Sequence, residues 1–165
     1  MSWIAALDGA TQFEAVLQQR PELLRRFRTF YATLWTAGGL PVRVLELCRL
    51  RIAAIHDCEA EWAIRDARVA LDPAILAALR QGRCEDCAAD EQAALAVAEQ
   101  LPYAHHAITD ADVERLNAAF GASGTVALLT ALAFFDVICR LKIVFEIEPE
   151  PVVLPAPPLR DGSLA

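Results

Sequence analysis

Residues 46–65 bring together Glu46, His56, Cys58, Glu61, Trp62 and Arg65, side chains whose types and spacing could do chemistry. A helix carrying Glu46 is expected to end at His56-Asp57, with Cys58 opening the next one. A helix N-terminus carries about half a positive charge, which favours a thiolate. Glu61, Trp62 and Arg65 follow Cys58 at i+3, i+4 and i+7, so on one continuous helix they share its face. If the Glu46 helix packs antiparallel, a thiol, two carboxylates and a guanidinium surround one small pocket. Plain structural readings stand beside this one. A free cysteine is commonly a small buried hydrophobe. Glu61 and Arg65 form an i,i+4 pair worth only ~0.3–0.5 kcal/mol if exposed. Glu46 lies between Arg43 and Arg49 at i−3 and i+3, as in a surface ladder or a buried ion pair.

The elements that must hold this group are helices. A short amphipathic piece lies around Phe13, Val16 and Leu17. Pro21 opens a helix to about residue 36, with Leu24, Phe27, Tyr31 and Leu34 at helical spacing, and Gly38-Gly39 stops it. Further helices are expected over about 41–56 and 58–70, then over 73–80, where Asp72 caps and Pro73 takes the first position. An Ala-rich helix covers about 91–100. Thr109 and Asp112 form a capping arrangement for a helix to about 120, ended by Gly121. The last long helix runs from Ser123 or Gly124 to about Phe145. No strand pairs are expected. Five prolines from Pro149 to Pro158 make the tail extended, and Val152, Val153 and Leu154 could strap it onto the body or a neighbouring subunit.

The 165-residue chain carries 22 acidic and 15 basic residues, a net charge of −7. That balance argues against binding nucleic acid through phosphate neutralisation. With 56% hydrophobic residues the chain is not disordered. The most apolar stretch, 125–135, is interrupted by Asp136, Arg140 and Lys142, so it reads as a buried helix rather than a membrane span. Asp136 and Arg140 form an i,i+4 pair, and these charges suggest a wet seam between subunits. Five cysteines and no visible signal peptide point to a reducing, cytoplasmic setting. No glycine-rich phosphate loop calls for a nucleotide or flavin, and no metal-ligand set is evident, so no cofactor is expected.

Glu46, twelve residues before Cys58, together with Leu40-Pro41 and Glu61-Trp62, resembles the carboxymuconolactone decarboxylase superfamily, which includes the AhpD-like alkylhydroperoxidases. The likeness spans about residues 21–148. The family pattern is a Glu, then a Cys-x-x-Cys twelve residues on, then a His four residues further. Here Glu61 stands at the second Cys and Arg65 at the His, as in a Cys-x-x-Glu-Trp branch. The resemblance implies an all-α bundle of seven or eight helices over residues 1–148, with residues 149–165 as an extended tail. It also implies a homo-oligomer acting on a small molecule. One implied activity is peroxidase-like oxidoreduction at Cys58, with Glu46 relaying protons and His56 or Arg65 steadying the thiolate. A second is acid–base chemistry on a carboxylated lactone, anchored by Arg65 and Trp62 and run by Glu46 or Glu61. A third is a degenerate scaffold, because Arg cannot act as a base near neutral pH.

Weaker signals remain. Cys84-Glu-Asp-Cys87 sits in a loop, where two intervening acids oppose thiolate formation; the cysteines read as incidental, unless the loop folds over Cys58 to supply a resolving thiol. His105-His106 lie in a connection and read as solvated. His56 reads as a helix-end residue bonding a terminal carbonyl, and is the nearest local substitute for the family His.

Overall fold

The computed structural model describes residues 11–36 and 39–154. They form seven α-helices: α1 (Gln12–Leu17), α2 (Pro21–Thr36), α3 (Val42–Ile55), α4 (Glu59–Trp62), α5 (Pro73–Arg80), α6 (Ala89–Ala104) and α7 (Asp110–Val144). A single 3-10 turn, His105–Ala107, joins the last two. The fold is all-α, as the composition and spacing imply.

α3 is the axis. Val44, Leu47, Cys48, Leu50, Ile52 and Ala53 are all buried, on every side of the helix. A helix that is apolar all round belongs in a core, and α3 packs against α4, α5, α6 and α7. Burying each large aliphatic side chain contributes about 1.5–3 kcal/mol. Glu46 and Arg49, on the same helix, are carried into the core with it.

The helix ends follow local chemistry. Asp72 accepts a hydrogen bond from the Ile75 N–H at 2.9 Å, with Pro73 at the first position of α5. Thr109 and Asp112 cap α7 reciprocally. α7 is broken at Gly121, whose φ of 69° and ψ of 169° leave the helical region, so the expected stop at this glycine is real. By length and composition alone, α7 is the one described helix that could cross a membrane. Its Leu128, Ala131, Leu132, Phe135 and Cys139 fill the core. Phe27 stacks on Phe134 at 5.8 Å and Trp35 packs on Phe135 at 5.7 Å, fixing α2 against α7.

Three expectations need correction. The helix foreseen over 58–70 lasts only one turn, ending at Trp62. The chain then runs extended through β1 (Arg65–Asp66), which pairs in parallel with β2 (Val153–Leu154), so a short strand pair exists where none was expected. Lastly, α6 continues past Gln100 through Pro102 to Ala104. The pairing of β1 with β2 straps the start of the tail to the body, with the Arg65 N–H donating to the Val152 carbonyl at 2.9 Å. The expected stop at Gly38 and the expected extended course from Pro155 onward lie outside the described residues.

Candidate functional site

The turn from α3 into α4 places Cys58. Asp57 takes a left-handed φ of 51°, which short acidic side chains tolerate better than most. The Cys58 N–H reaches back to the Ala53 carbonyl at 2.9 Å and the Asp57 N–H to the Ala54 carbonyl at 3.2 Å. This is a Schellman closure with Asp in place of the usual Gly. α7 ends in the same way, with Glu146 at φ 51° and the Ile147 N–H bonded to the Lys142 carbonyl at 2.9 Å.

α7 meets this segment with three matched residues at i, i+3 and i+6, two through their side chains and one through its backbone carbonyl. Asp136 accepts from His56 Nε2 at 2.6 Å. Cys139 offers its carbonyl oxygen 3.8 Å from Cys58 Sγ. Lys142 Nζ donates to Glu61 Oε2 at 2.5 Å. Of the charges that interrupt the apolar α7 surface, Lys142 is only 5% exposed and Asp136 half-buried, both bonded within the chain, while Arg140 is exposed. Asp136 does pair with Arg140, at 3.0 Å.

Beneath these contacts lies a buried ion network. Arg49 grips Glu46 through Nε and Nη2 at 2.9 and 2.8 Å, and reaches Glu61 Oε1 through Nη1 at 2.7 Å. The remaining guanidinium hydrogens go to the Glu61 and Ile64 carbonyls, both at 2.8 Å. Glu46 also accepts from the Asp66 N–H at 3.2 Å. Burial works against the Glu61 carboxylate, yet Lys142 and Arg49 hold its pKa down at about 2. Among the described residues no buried side-chain nitrogen or oxygen lacks a partner, which is the condition under which such a network is tolerated.

Cys58 is 2% exposed, but it forms part of the wall of a cavity of about 180 Å³ between the two Schellman turns. Lys142, Ile143, Ile147 and Pro149 share that wall, and Asp57, Glu59 and Glu146 make it acidic. Interaction with the Cys139 side chain draws the Cys58 pKa below the ordinary thiol value; burial and the Glu61 charge oppose this, and the Glu61 backbone N–H and the Lys142 charge assist it. The same contact and burial push Cys139 far up. A one-turn α4 has little dipole to offer, so the thiolate stabilisation expected from a helix N-terminus comes from Cys139 instead.

The sequence-predicted residues are therefore brought together only in part. Glu46 and Glu61 meet through Arg49, and Glu61 adjoins Cys58. Arg65, expected on the Cys58 helix face, leaves the helix altogether. Its guanidinium donates to the Trp62 and Ile64 carbonyls and lies 5.4 Å from the Trp62 ring. Burial, then repulsion from Arg49, lower its pKa. Trp62 is buried, with Arg80 4.1 Å over its ring. His56 does not bond a helix carbonyl through its ring: Nε2 serves Asp136, and Nδ1 accepts from the Tyr103 hydroxyl at 2.8 Å. Cys84 and Cys87 are bonded to each other rather than incidental. Cys84 borders a separate cavity of about 340 Å³ with Arg51, Leu79, Gln92 and Glu99, so the loop does not fold over Cys58. His105 and His106 are exposed.

Arg49, Cys139 and Lys142 are the residues that sequence reasoning passed over in this role. Lys142, the sole lysine, and Cys139 share the seven-residue stretch 136–142 with Asp136 on one helix, and that spacing was the available signal. Among the described residues no three His, Cys, Asp or Glu side chains converge to hold a metal ion. Compared with known proteins, the chain matches no protein-family model and no curated sequence.

Proposed function

We propose that the protein is a thiol-dependent, AhpD-like oxidoreductase that reduces a small uncharged hydroperoxide at Cys58. The observation that carries this reading is the place of Cys58 in the lining of a cavity shared with Lys142. The Cys58 thiolate attacks the outer oxygen of the peroxide. The O–O bond breaks, Cys58 becomes a sulfenic acid, and the departing alkoxide takes up the proton the thiol gave up, leaving as an alcohol. Lys142 supplies positive charge where that alkoxide develops. Ile143, Ile147 and Pro149 suit an apolar substituent. The acidic side chains at the cavity disfavour an anion, which speaks for a peroxide over a carboxylated lactone. So do Glu46 and Arg65, each engaged with internal partners.

The test is single-turnover peroxide consumption by the reduced protein. Wild type is expected to consume peroxide with oxidation mapped to Cys58, and Cys58→Ser to consume none through this site. Equal consumption by both, or no oxidation at Cys58, contradicts the proposal.

A second reading is favoured by the fully partnered network of Glu46, Arg49, Glu61 and Lys142: a catalytically silent scaffold, in which Glu46→Gln lowers stability and alters no turnover. Homo-oligomerisation and a cytoplasmic setting, which the family resemblance and the cysteine usage imply, belong to the same proposal. Sedimentation of the purified chain tests the assembly.

A further inference from the structure

Cys58, which lines the cavity, is in contact with a second cysteine residue. Cys58 Sγ lies 3.8 Å from the Cys139 carbonyl oxygen, and both cysteines are free thiols. Cys139 is wholly buried on α7, between Asp136 and Lys142, and both of those neighbours are tied to the Cys58 segment. The pairing of His56 with Asp136 and of Glu61 with Lys142 therefore clamps Cys58 against Cys139 from either side. The other three cysteines are placed elsewhere. Cys48 is buried on α3, where burial and then the Glu91 charge hold its thiol protonated. Cys84 and Cys87 are joined to each other beside a different cavity.

We propose that Cys139 is the resolving thiol for Cys58, closing an intramolecular Cys58–Cys139 disulfide across α4 and α7. This rests on the reading of Cys58 as the sulfur that meets peroxide. In the step, Cys139 sulfur attacks the sulfenic sulfur of Cys58. The Cys58 S–O bond breaks, the S–S bond forms, and the hydroxyl leaves with the Cys139 proton as water, which exits through the cavity. Over both steps the two thiols give up two electrons and two protons, and the hydroperoxide becomes an alcohol and water. A dithiol reductant returns the pair to the reduced state by attacking Cys58 Sγ, since Cys58 and not Cys139 lines the cavity. Cys139 then leaves and is reprotonated, and the second thiol of the reductant breaks the mixed disulfide, freeing Cys58 as a thiol and leaving the reductant as its own disulfide. Resolution by a residue in contact with Cys58 is intramolecular, so no outside thiol is needed to protect Cys58 from further oxidation.

The experiment uses the full chain, reduced, desalted and given one equivalent of hydrogen peroxide in the presence of dimedone, followed by digestion without reductant and peptide mass mapping. Wild type is expected to yield a peptide linked through Cys58 and Cys139, two hydrogens lighter than the thiol pair, and little dimedone adduct. Cys139→Ala and Cys139→Ser are expected to lose the linked peptide and accumulate the Cys58 adduct. Far-ultraviolet circular dichroism confirms that each variant is folded. A wild type that accumulates as much Cys58 adduct as the variants, or that links Cys58 to any other cysteine or to a second chain, overturns the assignment and leaves peroxide reduction at Cys58 standing. No oxidation of Cys58 in any of the three proteins overturns both.

Discussion

Replacing Arg49 with methionine should be among the most damaging single changes in this chain. The side chain has five N–H groups, and each has a partner: both Glu46 oxygens, one Glu61 oxygen, and the Glu61 and Ile64 carbonyls. Methionine fills comparable space but offers none of these donors. Glu61 keeps Lys142, whereas Glu46 is left with the Asp66 N–H at 3.2 Å. Removing one partner of a buried ion pair costs about 3–5 kcal/mol, because a charge stays behind without compensation. In a domain of this size, that lowers Tm by roughly 6–20 °C. Urea unfolding at pH 7, followed by circular dichroism, measures it. The double variant Glu46→Leu/Arg49→Met removes both charges, so it should be less destabilised than the sum of its parts by at least about 1 kcal/mol. An Arg49→Met protein within about 1 kcal/mol of wild type would refute the reasoning, as would strict additivity.

Acid should uncover the same network. The folded-state pKa of Glu61 is lowered from 4.5 to about 2. Its contribution, on the order of 3 kcal/mol, is therefore present above about pH 4.5 and lost as pH falls towards 2. Urea midpoints between pH 5 and 2.5 should show a fall that Glu61→Gln flattens. At the α3–α4 turn, Asp57→Val forces a β-branched residue into a left-handed conformation, which should cost about 1–2 kcal/mol in the same unfolding assay. Alkylation of the unreduced, denatured chain should label Cys48, Cys58 and Cys139 and spare Cys84 and Cys87, a pattern that intact mass reads directly.

The helices were legible because their ends are written in local chemistry. Pro21, Asp72 with Pro73, Thr109 with Asp112, and Gly121 each act within a turn or two of themselves. The one-turn α4 was not legible. Nothing in residues 63–70 forbids a helix; the chain is drawn into extended pairing with Val153 and Leu154, some ninety positions away. That long-range competition moved Arg65 off the Cys58 face. Glu46 and Cys58 were recognisable from their spacing, but what joins them was not. Arg49 read as a flank of Glu46, and only the burial of α3 on all sides makes it the hub. Lys142 and Cys139 depend on the register of α7 against the 56–61 segment, which tertiary packing sets.

On the proposed chemistry, Cys58 is the thiol among Cys48, Cys58 and Cys139 that is both reachable and activated. Native, reduced protein exposed to a limiting amount of iodoacetamide at neutral pH, quenched over time and mapped by mass, tests this directly. Cys58 is expected to be alkylated well before Cys48 and Cys139, with a rate that stays high below the ordinary thiol pKa. Cys58 reacting as slowly as the wholly buried Cys48 would contradict it.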